Sequence, residues 1–500
     1  MPREMISPRA ARAIVFVALL FVALSPSAFA QQPAAVPRET PPPPAAPHSV
    51  KFPVPVERTL ANGLRVVVVE RHTTPLAAAR LVVRTGGEAD PAQLSGLADM
   101  TASLLTKGTA TRKAPEIAEA IEALGGSIDS GAGWDASRAN LDVGAPKLPQ
   151  ALAILADVAR NPVFESEEIE RLRQQYLDDL RVALGTPGSL ARFVASRVVF
   201  GDEPYGHPLA GTPESIARLK REDIVNFHQT YYRPDNAVLV IGGDVTAADG
   251  FKLAERLFGD WKKPATPLPA ASARAAAASD AKPRVVVVDK PDAGQAAVIV
   301  VRRGINRKDQ DYFRAIVANS VLSGYSGRLN QEIRIKRGLS YGAVSALDAR
   351  RDVGPFVATV QTKNESGAEV ADLILGELSR LASGDLPDAE LTPRKAVLIG
   401  GFARNMETVE GLTAQVASLA LYGQSFDYIN TYVNNVQSVT AADVKRFAST
   451  RLGAQGASVV VVGDARKFLP ALRQKYPNVE VIPVAELNLN GGALRVSKNP

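Results

Sequence analysis

The most informative segment of the chain runs from residue 214 to residue 244 and reads ESIARLKREDIVNFHQTYYRPDNAVLVIGGD. Adding 220 to each number gives a second copy, NNVQSVTAADVKRFASTRLGAQGASVVVVGD, at residues 434–464. The two copies align without a gap and share Asp223 with Asp443, Phe227 with Phe447, and Gly243 with Gly463. Each copy predicts a helix capped near its start, a connection, and a buried strand ending in Gly-Asp. The chain therefore contains two related halves.

Strands and helices alternate in the same way on either side of this repeat. Leu64–Val69 and Ala77–Val83 predict a pair of strands in the first half, and Val285–Val288 and Ala296–Val301 repeat that pair in the second. Pro115–Leu124 has an apolar face that is typical of a packed helix. This pattern predicts an α+β fold of two homologous domains, each a mainly antiparallel sheet with helices on one face, forming a clam-shaped cleft.

The N-terminus has the pattern of an export signal. Three arginines precede an apolar run, residues 13–24, and Ala28-Phe29-Ala30 offers a cleavage site. We expect a periplasmic protein without a stable membrane anchor. The predicted organisation is a signal peptide (1–30), a Pro/Ala-rich tether (31–54), an N-terminal domain (55–262), a linker (263–283), a C-terminal domain (284–485) and a tail (486–500).

Composition excludes several classes of protein. The chain has no cysteine, which excludes disulfides and a lipid attached to cysteine. Its formal net charge of +6 is spread over 500 residues without a basic stripe, so nothing favours nucleic-acid binding.

Three segments resemble known sequence signatures. Thr59–Val66, Gly211–Ile216 and Tyr231–Ala237 are similar to signatures of the M16 peptidases, the family of pitrilysin and the mitochondrial processing peptidase. The similarity runs from about residue 55 to about residue 480. Its length implies the two-domain bacterial and mitochondrial type.

The resemblance also implies where a zinc site should lie. Active members carry an inverted motif, His-x-x-Glu-His, and a further glutamate downstream. In the matching segment, Gly96–Thr109, Asp99 and Ser103 stand at the histidine positions and Ala102 at the general-base position, while Asp179 falls near the last ligand. This substitution pattern predicts that the chain holds no zinc. A cation held by Asp99 and Asp179 alone would be bound weakly.

The histidines offer no replacement for the lost site. The chain contains His48, His72, His207 and His228, and no two of them lie three or four residues apart. His48 lies in the tether, and we expect the other three to be surface or packing residues.

The second half keeps residues that the resemblance associates with substrate. Leu322–Leu329 and Arg337–Tyr341 fit the family pattern, which implies that Arg328 and Tyr341 contact peptide across the cleft from zinc. Gly324 and Gly327 are expected to form a flexible loop that lets backbone approach the peptide. The alternative is that Arg328 simply pairs with an acidic neighbour.

These features lead to one principal hypothesis of function. The chain is expected to be the non-zinc subunit of a heterodimeric periplasmic peptidase, binding no cofactor itself and completing a site whose zinc is held by a homologous partner. A second hypothesis is a catalytically inert peptide-binding or assembly scaffold of the same fold. A third, an active homodimer with another metal site, is disfavoured by the histidine count.

Overall fold

The computed structural model describes residues 51–269 and 282–495. The predicted signal peptide (1–30) and nearly all of the tether lie outside these residues. The strands are β1 (Val56–Thr59), β2 (Arg65–Glu70), β3 (Leu76–Val83), β4 (Ser127–Ala132), β5 (Ser137–Gly144), β6 (Ala237–Gly243), β7 (Val285–Asp289), β8 (Ala296–Arg303), β9 (Ala343–Leu347), β10 (Pro355–Thr362), β11 (Ser458–Gly463) and β12 (Val479–Pro483).

Helices connect these strands in both halves. They are α1 (Leu97–Ser103), α2 (Ala114–Glu122), α3 (Leu148–Arg160), α4 (Ser166–Gly185), α5 (Pro187–Phe200), α6 (Pro213–Arg218), α7 (Arg221–Tyr231), α8 (Ala247–Phe258), α9 (Tyr312–Leu322), α10 (Arg328–Asn330), α11 (Gly367–Ser383), α12 (Asp388–Met406), α13 (Val409–Tyr422), α14 (Tyr428–Ser438), α15 (Ala441–Phe447) and α16 (Leu469–Lys475). In the described part of the chain, no helix has the length and apolar character needed to cross a membrane.

The repeated segment supplies an interior strand to each of two six-stranded sheets. The strand orders are β1-β2-β6-β3-β5-β4 and β12-β7-β11-β8-β10-β9. β6 runs parallel to β2 and antiparallel to β3, and β11 stands in the same relation to β7 and β8. Every residue of β6 and β11 is buried. The predicted duplication and the α+β fold with mainly antiparallel sheets are confirmed.

The repeated aspartates lie in the first turn of equivalent helices, α7 and α15. The Asp223 carboxylate accepts a hydrogen bond from the Lys220 amide (2.8 Å), and Asp443 accepts one from the Thr440 amide (3.0 Å). The Thr440 amide and hydroxyl lower the pKa of Asp443 to about 2. A carboxylate at this position accepts hydrogen bonds from N–H groups that have no partner within the helix, which explains why both copies keep it.

The strand pairing predicted in each half is wrong. β2 and β3 do not pair with each other, because β6 lies between them, and β11 separates β7 from β8 in the same way. The reason is that the repeated strand is apolar on both faces and therefore takes an interior position. The connection from Arg71 to Pro75 can extend roughly 16 Å, whereas crossing one intervening strand takes about 10 Å.

The two halves exchange one helix each. The helices of each half cover one face of its own sheet, as predicted. The opposite face of the second sheet is covered by α5, and that of the first sheet by α13. Leu190 and Val194 of α5 pack with Ile299 of the second sheet. Each exchanged helix therefore joins the two halves; the clam-shaped cleft stays a prediction.

A buried carboxylate joins the halves at their centre. Asp135, in the turn between β4 and β5, accepts hydrogen bonds from the hydroxyls of Tyr205 and Tyr422 (3.0 Å for Tyr422) and from the Arg351 amide (2.8 Å). Arg351 lies in the equivalent turn, between β9 and β10, and its guanidinium also bonds Glu88 (2.8 Å). Equivalent turns of the two halves therefore meet around one acid.

Residues assigned to the C-terminal tail pack against the first half. Leu489 and Leu494 are buried beside α5. The Arg197 Nε donates a hydrogen bond to the Leu489 carbonyl (2.8 Å). The described residues after β12 thus stabilise the exchanged helix.

Candidate functional site

Helix α1 carries the positions where the family resemblance places a zinc motif. It begins after Gly96, whose φ of 92° lies in the left-handed region. The Asp90 carboxylate accepts hydrogen bonds from the amides of Gly96 (2.7 Å) and Ala98 (2.8 Å), which fixes the start of the helix. Leu97 and Met100 of this helix are buried in the core of the first half.

A tyrosine lies between the two former ligand positions. The Tyr176 hydroxyl, from α4, donates a hydrogen bond to Asp99 (2.9 Å) and lies 3.0 Å from the Ser103 hydroxyl. The second oxygen of Asp99 accepts from the Ala132 amide (3.3 Å). Ala102, at the general-base position, is fully buried. The polar side chains of Asp99, Ser103 and Tyr176 therefore have hydrogen-bond partners within this cluster.

The electrostatics of this cluster suit a packed interior. Burial raises the pKa of Asp99, although the hydrogen bonds from Tyr176 and Ala132 oppose that change. Burial and the neighbouring Asp99 raise the pKa of Tyr176, so the phenol stays protonated at neutral pH. A protonated phenol donates a hydrogen bond and a carboxylate accepts one, so Tyr176 and Asp99 form a matched pair.

These residues do not fit a zinc ion. Asp99 already has two donors, and Ala102 and Ser103 provide neither an imidazole nor a second carboxylate. Asp179 lies one turn beyond Tyr176 on α4 with an exposed side chain. Among residues 51–269 and 282–495, no three His, Cys, Asp or Glu side chains come together in a way that could hold a metal ion.

Arg328 is held by the second half of the chain. Its Nε and Nη2 donate to the two oxygens of Glu390 (2.7 and 2.8 Å), and Nη2 also donates to the Asp385 carbonyl (2.9 Å). The Glu390 contact raises the pKa of Arg328. The pairing with an acidic neighbour, which the sequence left open as an alternative, is therefore present.

Tyr341 is the most exposed large hydrophobic residue in the described structure. Its side chain is 96% exposed and makes none of the described hydrogen bonds. Asn330 ties its segment to the glycine loop, since its amide nitrogen donates to the Tyr325 carbonyl (2.6 Å) and its oxygen accepts from the Ala343 amide (3.3 Å). Asn330 therefore connects the loop before Arg328 with the segment that carries Tyr341, and we call this connected loop braced.

The glycine loop has a backbone that other residues would not adopt. Gly324 has a φ of 91°, in the left-handed region. A Cβ at Gly327 would lie 2.3 Å from the Ser323 carbonyl oxygen. A π-helical turn, Gln331–Ile335, follows α10, and such turns are frequent at functional sites. The two glycines therefore allow the backbone path that the loop takes just before Arg328.

The described histidines take part in hydrogen bonds unrelated to the former motif. His72 is exposed between Asp244 and Glu70, whereas His207 and His228 are buried against backbone carbonyls. They are surface and packing residues, as predicted.

Two residues of these clusters were not identified from the sequence. Tyr176 precedes Asp179 by three positions on one helix, so helical spacing gave a usable signal. Glu390 lies 62 residues from Arg328, and nothing in the sequence connects them.

Comparison with known proteins places both halves in one family. Residues 65–212 match the family described as insulinase (peptidase family M16), and residues 218–398 match the peptidase M16 inactive domain. A protein of Mycobacterium tuberculosis named as a zinc protease is 27% identical over 442 residues, covering 87% of this chain and 98% of the relative. One of Streptomyces coelicolor is 27% identical, covering 82% and 89%.

Solved structures agree with this result. A peptidase M16 inactive domain from Pseudomonas fluorescens superposes with a TM-score of 0.75 at 25% identity, covering 82% of this chain and 98% of that one. A protease from Helicobacter pylori gives a TM-score of 0.75 at 22% identity, covering 82% and 100%, a likeness that shows the fold alone.

Proposed function

This chain belongs to the M16 peptidase family and lacks the family's zinc site, and we propose that it is the non-zinc subunit of a heterodimeric periplasmic peptidase. Its partner is a homologous chain with an intact His-x-x-Glu-His motif. That partner supplies the metal and the general base, and this chain supplies Arg328 and Tyr341. The substrate is an unfolded or short peptide.

One observation carries the proposal. Tyr341 is 96% exposed beside a braced loop, the largest exposure among the large hydrophobic residues that the structure describes. A phenol in that position can donate a hydrogen bond to an oxyanion once a partner surface excludes water. Arg328 offers a fixed positive charge to a peptide carbonyl. Neither role requires a metal in this chain.

The scaffold hypothesis remains the second candidate, because one contact favours it. Arg328 is paired with Glu390 and is only 15% exposed, which is what a purely structural arginine would also show. A scaffold, however, has no use for an exposed Tyr341. The two hypotheses therefore differ in what Tyr341 does.

Reconstitution distinguishes them. The purified chain is mixed with an exported M16 chain of the same organism that carries the intact motif, and hydrolysis of an unstructured fluorogenic peptide is followed. We expect neither chain alone to be active. Arg328→Ala or Tyr341→Phe should lower kcat/KM of the mixture at least tenfold, about 1.4 kcal/mol of transition-state stabilisation.

Tyr325→Phe is the matched control, because it removes a hydroxyl from another exposed tyrosine of the same loop. It should leave kcat/KM within twofold. If both test variants keep the mixture fully active, the composite site is wrong. A stable complex without any peptidase activity would instead support the scaffold.

A further inference from the structure

The way in which Arg328 is held determines what it can offer to a ligand. A guanidinium has five N–H groups: one on Nε and two on each terminal nitrogen. Glu390 takes the Nε group and one Nη2 group, and the Asp385 carbonyl takes the other Nη2 group. Among the described residues Nη1 has no hydrogen-bond partner. Only that nitrogen remains available.

Helix α12 holds this loop at two points. Glu390 and Arg394 lie four residues apart, on one face of the helix. Glu390 binds Arg328, and the Arg394 Nη2 donates to the Ser326 hydroxyl (2.8 Å) and to the Ser326 carbonyl. The backbone before Arg328 and the side chain of Arg328 are therefore fixed by the same helix turn.

Each cation that lines the surrounding cavity is paired with an acidic side chain. It has a volume of about 450 Å³, and Arg328, Lys336 and Arg380 line it. Lys336 pairs with Glu332 (2.9 Å) and Arg380 with Glu377 (3.1 Å). Lys336 and Arg380 also keep unused N–H groups, so what Arg328 can offer follows from its own contacts with Glu390 and the Asp385 carbonyl.

We infer that Glu390, with the Asp385 carbonyl, is a positioning residue that restricts Arg328 to a single-nitrogen contact with an internal peptide carbonyl. The inference rests on the substrate role proposed for Arg328. A terminal carboxylate binds an arginine best through two parallel N–H groups. Arg328 has two such pairs of N–H groups, Nε with Nη2 and Nη1 with Nη2. Both N–H groups of Nη2 are already bonded, so a terminal carboxylate has to displace Glu390 or the Asp385 carbonyl.

Paired peptides test this inference in the reconstituted mixture. Two fluorogenic peptides of one sequence are compared, one ending in a carboxylate and one in a carboxamide. With the unmodified chain we expect kcat/KM values within twofold of each other. Glu390→Gln should lower kcat at least fivefold, since Arg328 then rotates freely, and Glu390→Asp should restore part of the loss.

Two further variants complete the design. Asp388→Asn, two residues earlier in α12 and exposed, is the matched control and should change nothing. The double variant Arg328→Ala with Glu390→Gln should be no worse than Arg328→Ala alone, because Glu390 acts only through Arg328.

Two results would overturn the inference. One is a preference of tenfold or more for the carboxylate peptide that Arg328→Ala abolishes. The other is a Glu390→Gln loss that multiplies with the Arg328→Ala loss. If Arg328→Ala itself has no effect, or the mixture is inactive, the proposed function fails instead.

In that case NMR of this chain alone still tests the geometry. Hydrogen exchange of the Arg328 Nε–H should be slow in the unmodified chain and at least tenfold faster in Glu390→Gln. Equal exchange rates in the two proteins would show that Glu390 does not hold Arg328.

Discussion

Two tyrosines, one in each half, show opposite surroundings. In the first half Tyr176 lies between Asp99 and Ser103 and turns a former ligand cluster into packed interior. In the second half Tyr341 stands almost fully in solvent beside the braced loop. Interior polar groups stabilise the fold only when each has a partner, whereas an exposed phenol contributes little to the fold. The first tyrosine is therefore structural and the second is available for binding.

The largest expected difference between the two tyrosines is the effect of alanine substitution on the free energy of unfolding. Tyr176→Ala removes a packed ring and leaves Asp99 without its hydroxyl donor, so the free energy of unfolding should fall by about 3 kcal/mol. Tyr341→Ala should change it by less than about 0.5 kcal/mol. Urea denaturation of the two variants measures both values. Similar losses of unfolding free energy in both variants would show that the two tyrosines do not differ in their structural role.

The hydroxyl of Tyr176 can be tested separately from its ring. Tyr176→Phe keeps the packing but takes the donor away from Asp99, which should cost about 1–3 kcal/mol of stability. Tyr341→Phe is the control and should leave the melting temperature unchanged. A fully stable Tyr176→Phe protein would mean that water replaces the hydroxyl and that the cluster is not closed.

Asp99 should make the free energy of unfolding depend on pH, an effect that we expect to be smaller than those of the Tyr176 variants. Its pKa is raised by burial, so the folded chain binds the proton more readily than the unfolded chain. The free energy of unfolding should therefore fall as the pH rises from about 4 through the folded-state pKa. Comparing the unmodified chain with Asp99→Asn between about pH 4 and about pH 8 isolates this contribution.

Asp179→Asn is the matched control for that comparison, because Asp179 is exposed on α4. It should change stability by less than about 0.5 kcal/mol. A stability difference between Asp99→Asn and the unmodified chain that does not vary with pH would contradict the burial of Asp99.

The fold could be predicted from the sequence wherever one pattern was repeated. The Gly-Asp strand and its capped helix occur twice, so the duplication and the burial of β6 and β11 followed from the sequence. The strand neighbours did not follow, because short connections suggest hairpins and the inserted strand comes from much later in the chain. The exchange of α5 and α13 depends on apolar faces that fit equally well on either sheet.

The site could be predicted only where the sequence can be compared with a known family pattern. The absence of histidine and glutamate at Asp99, Ala102 and Ser103 was visible in the sequence, and so was the presence of Arg328 and Tyr341. The partners of these residues were not, since Glu390 meets Arg328 through tertiary packing over 62 residues. The roles of Arg328 and Tyr341 stay predictions.

Helix α1 carries no imidazole, and its Asp99 and Ser103 side chains are already bonded to the Tyr176 hydroxyl of α4, so it cannot serve as a peptidase metal site. The most direct test is to purify this chain alone, measure its zinc content, and follow peptide hydrolysis with and without a chelator. We predict no stoichiometric zinc and no chelator-sensitive hydrolysis. One zinc per chain together with hydrolysis that a chelator abolishes would contradict the account.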